Sequence, residues 1–128
     1  MVSVTNIVCV NIMAGPLRTD LNEVDALFAD NVSYFSSEKQ GVIIGKAAVR
    51  EHHSGFGFKA GGNADKAGNR LWLQHLRFDR VDTATVIVTA IWLFLRAAHA
   101  HDERQTQRGP LTAVLTGGRI VHMNFGKY

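Results

Sequence analysis

The chain has 128 residues, 46% hydrophobic and 20% charged, with two prolines and no low-complexity tract, which suits one compact domain over residues 1–128 and excludes a disordered chain. Fourteen Lys and Arg against eleven Asp and Glu give a formal charge of +3. The basic residues are scattered singly from Arg18 to Lys127, so no electrostatic stripe for nucleic acid is expected. The single cysteine, Cys9, has no internal disulfide partner and no C-x-x-C neighbour, which implies neither an oxidising compartment nor a zinc site and makes the cytoplasm the expected location. The opening residues MVSVTNIVCVNIMA lack a basic start and are interrupted by Thr5, Asn6 and Asn11, so no secretory leader is expected. The apolar run from Thr85 to Leu95 is too short to cross a bilayer as a helix, and no membrane partner is expected.

After Gly15-Pro16 the stretch DLNEVDALFADN sets Leu21, Val24, Leu27 and Phe28 at helical spacing, with acids early where the helix dipole favours them. VSYFSS follows with β-branched and aromatic residues, then the loop SEKQG and a short apolar VIIG, which read as two short strands or a hairpin. GKAAVREHHSGF places Val49, His53 and Phe56 on one helical face and Arg50 and Glu51 towards water, with Gly55 available to end the helix. Between Gly55 and Arg70 the glycines and polar residues read as loop, and GFGFKAGG lacks the Lys-Ser/Thr ending of a phosphate loop. Four strands then follow, LWLQHLRFDRV, TVIVTAIWLFLRAA, RGPLTAVL and RIVHMNF, with an antiparallel arrangement expected. The stretch from 85 to 95 is apolar on both alternating faces, so both sides of the sheet must be covered. Helices can cover one side and a second subunit the other. The order of elements predicts an α+β fold, N-terminal helices packed across a curved, mainly antiparallel sheet.

LFADNVSYFS, VIIGKAAVREHHSGF and RGPLTAVLTGGRIVHMNFG resemble the SnoaL-like branch of the nuclear-transport-factor-2-like, or cystatin-like, superfamily, over about Asp20 to Phe125. The resemblance implies a cone whose helices and bent sheet enclose an apolar pocket, usually as a dimer joined through the sheet. It also implies a small-molecule protein, an isomerase, cyclase, dehydratase or hydrolase, or else a non-catalytic dimerisation or partner-binding scaffold, because such a fold hosts both. Laid along the isomerases of that superfamily, Ser36 stands at the carboxylate base, Ile12 at the first-helix tyrosine, and Leu111 near the second acid. The isomerase base and oxyanion donors are therefore absent. No cofactor is implied.

The same resemblance puts His53 at the pocket-facing position of the short helix, where an imidazole with a pKa of about 6.5 could serve as acid or base; a helix histidine packed against the loop or wet at the surface is the plain alternative. The neighbouring His52 points ~100° away, so one of the two at most should face the pocket. Tyr34 and Ser36 share a strand face by alternation, the pocket side if Ser36 holds the old base position; a core aromatic and a turn residue are the plain alternatives. Phe28, Ile87, Thr89, Ile91, Met123 and Phe125 would supply apolar walls, or core packing alone. Alternation puts His75 with Arg77 and Trp72 with Phe78, and sets His122 and Asn124 on the intersubunit face opposite Met123. Trp92 is expected on the outer, intersubunit face as well. Arg108 is suited to an anionic group or to solvent. His99, His101, Asp102 and Glu103 gather at an expected hairpin tip without further ligands at a recognised spacing, so no metal is expected.

Overall fold

The computed structural model describes residues 21–55, 60–61 and 69–128. Helix α1 (Leu21–Leu27) runs directly into strand β1 (Phe28–Ser36), and a turn leads to the two-residue strand β2 (Ile43–Ile44). Helix α2 (Lys46–Ser54) precedes the long strands β3 (Arg70–Arg80) and β4 (Thr85–Leu95). Two 3-10 turns, Ala97–His99 and Glu103–Gln105, lead to β5 (Gln107–Thr116) and β6 (Arg119–Phe125). The last two strands are joined through Gly117 and Gly118, both at positive φ, as a tight hairpin turn requires. The strands form one sheet in the order β2-β1-β6-β5-β4-β3, parallel between β1 and β6 and antiparallel elsewhere. The fold is α+β with a mainly antiparallel sheet, and Val24 and Val49 bring both helices into the core on one of its faces. None of the described helices is long and apolar enough to cross a membrane. Ile12 and Phe56 lie outside the described residues.

The amphipathic pattern predicts a helix through residue 31, but α1 ends at Leu27 and Phe28 opens the sheet by pairing with Ile120. The last turn of α1 has no basic residue of its own. Lys46 donates to the Asp25 carbonyl at 3.4 Å, and Arg119 to the carbonyls of Asp25 and Ala26 at 3.3 and 3.2 Å. Cations from elsewhere in the chain thus satisfy a helix end that a helical spacing alone would prolong.

Side chains of residues paired across neighbouring strands stand on the same face. One row crosses the whole sheet on the face that carries the helices, from Phe78, exposed on the edge strand β3, through Val88, Ala113, Met123 and Tyr34 to Ile43. Ala90, Leu111, Phe125 and Ser36 form the next row on this inner face, so the two positions at which the resemblance would place carboxylates do share one side. Leu111 is buried hydrocarbon there.

Two expected placements are reversed. Ile87, Thr89 and Ile91 pair with Val114, Thr112 and Pro110 on the outer face, away from Tyr34 and Met123. Trp92, expected outside, is 3% exposed on the inner face, stacked on Phe125 at 4.6 Å, with its Nε1 donating to the Gly126 carbonyl at 2.7 Å. An alternating strand that is apolar on both sides carries no mark of which side faces the helices; register against β5 and β6 decides it. The indole N–H then needs a buried acceptor, and Gly126 supplies one. Gly109, paired with Trp92, makes room for this, since a Cβ there would collide with the Gly126 carbonyl.

In β3, His75 sits at φ 55 and the register shifts between Gln74 and Arg77, a bulge that switches the parity of everything after it. Trp72, paired with Leu93, therefore faces outward and Phe78, paired with Val88, inward, so the expected common face of these two aromatics does not exist.

Trp92→Ala should lower unfolding free energy by about 3–5 kcal/mol in urea titration, as removal of a buried aromatic does. A loss of about 0.5 kcal/mol or less, typical of surface positions, would overturn its inner placement.

Candidate functional site

The polar chemistry of the inner face gathers where β1 meets the end of α2. Tyr34, 5% exposed, stands at the centre. Its ring lies 5.9 Å from Phe28, 5.9 Å from His52 and 5.7 Å from His53, and the two imidazoles are 5.7 Å apart, edge to face. Phe28 also lies 6.3 Å from His53. The residue that ends α1 prematurely thus enters the site because β1 begins with it.

His53 Nδ1 donates to the Val49 carbonyl one turn back, at 2.8 Å. A carbonyl only accepts, so Nδ1 carries the proton and Nε2 is the acceptor atom of the neutral ring. Burial lowers the His53 pKa below the ordinary 6.5; the Val49 bond pulls the other way, and His52 adds to the lowering. His52 is lowered too, by burial first and by Lys39 second, against an opposing pull from Glu38. Burial pushes the Tyr34 phenol far up, so it stays protonated. Three polar rings thus meet without a formal charge among them near neutral pH.

Of the residues expected from sequence, Tyr34, His53 and Phe28 come together, and Met123 flanks Tyr34 in the same inner row. Ser36 also faces inward, but its Oγ accepts from the Glu38 amide at 3.2 Å and shapes the turn after β1. Phe125 packs against Trp92. Ile87, Thr89 and Ile91 are on the far face and line nothing here.

His52 was not expected beside its neighbour. A turn of ~100° separates adjacent helical side chains, yet Tyr34 is long enough to be reached from both directions. The adjacent histidines opposite an aromatic strand were the available signal.

The remaining candidates are dispersed. Arg77 pairs with Asp79 at 2.9 Å, and Arg108 stands outward beside Leu93. Asp102 accepts from the Arg104 amide at 3.1 Å and holds its guanidinium at 3.0 Å, giving that carboxylate a turn-closing role. Among the described residues no three His, Cys, Asp or Glu side chains are placed to share a metal ion.

No protein-family model and no curated protein matches the chain. Solved structures do. A nuclear-transport-factor-2-like protein of unknown function from Pseudomonas putida is 18% identical at TM-score 0.66, over 84% of this chain and 72% of that one. A protein from Parabacteroides distasonis provisionally named a ketosteroid isomerase is 13% identical at TM-score 0.63, over 86% and 76%. Another from Pseudomonas putida, provisionally named a polyketide cyclase, is 15% identical at TM-score 0.58, over 94% and 86%. At such identities the likeness establishes the fold: this chain has the nuclear-transport-factor-2-like, cystatin-like architecture.

Because both imidazoles are lowered in the folded state, the unfolded chain binds protons more readily. Stability is full above about pH 6.5 and falls as the pH drops below it. Asp82 and Asp102, whose carboxyls are lowered by hydrogen bonds, act in a separate window below the ordinary 3.8. Melting temperature should fall between pH 6.5 and 5 in the wild type and fall less in His53→Gln. Equal slopes in both proteins would remove His53 from this account.

Proposed function

We propose that this chain is a SnoaL-like small-molecule-binding protein of the cytoplasm whose ligand sits against Tyr34, His53, His52 and Phe28. The observation that carries the reading is the meeting of three uncharged polar rings with apolar walls on the inner face. Such a lining is the usual make-up of a pocket for a modest hydrophobic ligand with a few oriented polar atoms. In the acid–base form of this proposal, His53 Nε2 takes a proton from a C–H or O–H of the ligand, and the Tyr34 hydroxyl donates to a carbonyl or leaving oxygen. Isomerisation, cyclisation, dehydration and hydrolysis all use that pair of roles. The provisional names of the structural neighbours agree with such chemistry.

A thermal-shift screen of wild type and His53→Ala against steroids, epoxides, lactones, aromatic polyketide-like compounds and small carboxylic acids tests it. A ligand at 100 times its Kd adds about 2.7 kcal/mol, visible as a higher melting temperature. An uncharged hit that is lost in His53→Ala supports the reading; hits unaffected by the substitution would move the ligand elsewhere.

The outer face supports a second component, a homodimer through the sheet. Ile44, Ser33, His122, Val114, Ile87 and Asp79 form one outer row, and Phe35, Asn124, Thr112, Thr89 and Arg77 the next. Ile44 is 62% and Phe35 43% exposed, and no Asp, Glu, Lys or Arg stands in these two rows on β2, β1, β6, β5 or β4. Six strands spaced by about 4.8 Å make a face about 24 Å wide, of the order needed for the ~800 Å² per partner of a stable contact. A second copy fits this surface because its neutral middle meets itself without like charges opposed. In the scaffold form of the proposal this contact is the function and the inner rings are packing. Ile87→Arg should sediment as a monomer with an unchanged far-ultraviolet spectrum; a persistent dimer would overturn the assignment.

A further inference from the structure

We infer that His122 makes self-association through the outer face sensitive to acid, the dimer forming with the ring neutral and weakening as it gains a proton. The inference rests on the homodimer reading above and adds its regulation.

His122 stands on β6, one of the two middle strands, and its Nδ1 lies 2.8 Å from the Ser33 hydroxyl on β1. Phe35 meets the ring edge to face at 6.0 Å. Across the strands its neighbours on this face are Ser33 from β1 and Val114 from β5, with Ile44, Phe35, Asn124 and Thr112 around them. None of these is charged. Further out, Asp79 and Arg77 on β3 are bonded to each other, Asp30 on β1 is engaged by Lys46 at 3.1 Å, and Arg108 lies beside Leu93. Among the described residues none of the ion pairs includes His122.

Protonation leaves the contact with Ser33 intact, because a hydroxyl oxygen accepts from Nδ1–H as readily as its proton is given to a bare nitrogen. Only the charge changes. In the free subunit water solvates that charge on the half-buried ring. A covering second copy removes the water and brings an apolar and hydroxyl-bearing centre against the ring, the one carboxylate of this row, Asp79, standing on the edge strand β3 bonded to Arg77, so the charged form is disfavoured in the dimer. Two copies contribute one ring each. By linkage, association then releases up to two protons, and the Kd of the dimer rises by up to about 100-fold per pH unit where histidines titrate.

The test is sedimentation equilibrium of wild type and His122→Gln at pH 8, 7, 6 and 5, with circular dichroism confirming the folded state at each pH. Glutamine keeps a hydrogen-bonding group beside Ser33 and has no charge to gain. The expected result is a wild-type Kd that rises steeply below pH 7 and a His122→Gln Kd that stays within about threefold. A wild-type dimer whose Kd is independent of pH, or a His122→Gln slope equal to the wild-type slope, would overturn the inference while leaving the dimer in place. A wild type that is monomeric at every pH overturns the homodimer reading and the inference together. The melting-temperature slope assigned to His52 and His53 should persist in His122→Gln, which separates acid dissociation from acid unfolding.

Discussion

Burial of one row of side chains across five of the six strands, with only Phe78 on the edge strand β3 left exposed, is the constraint on which the other features rest. Phe78, Val88, Ala113, Met123, Tyr34 and Ile43 stand side by side on one face, and both helices contribute to the core above them. Strand side chains alternate strictly, so committing this row to the inside commits the next residue of each strand to the outside. The candidate site and the candidate interface are therefore two consequences of a single register. Trp92 reinforces it, because its buried N–H is satisfied by the Gly126 carbonyl, which approaches only because position 109 has no side chain.

The candidate site on the inner face carries different groups from the carboxylates that the resemblance would place there. Ser36 is spent on a turn and Leu111 is hydrocarbon. The polar groups that remain belong to three rings, and each is held in its uncharged form by burial before any other influence. The Val49 carbonyl determines which nitrogen of His53 bears the proton. An ionic ligand would find no counter-charge among these rings, whereas a neutral one with a carbonyl or hydroxyl would find both a donor and an acceptor.

Irregularities in the strands matter as much as the regular pairing. The bulge at His75 turns Phe78 inward while Trp72, before it, faces outward, and β1 shifts its register on β6 between Phe28 and Ser33. Without the bulge, Phe78 would pair with Ile87 and stand on the outer face with Trp72. A one-residue bulge moves a whole series of side chains to the opposite face.

Composition and periodicity by themselves determined the α+β order, the short helix ending in paired histidines, the four long strands, and the need to cover β4 on both sides, since local hydrophobic spacing encodes these directly. Tyr34 and His53 were legible as neighbours only through the family resemblance. Tertiary structure alone decided that Ile87, Thr89 and Ile91 face away from them and that Trp92 faces in, because a strand apolar on both sides carries no local sign of which is which. It also decided where α1 stops, through cations contributed by Lys46 and Arg119 from distant parts of the chain, and it brought His52 in beside His53. Alternation is a property of one strand, but the face it presents is a property of its neighbours, and those are set by pairing over separations that no local spacing records.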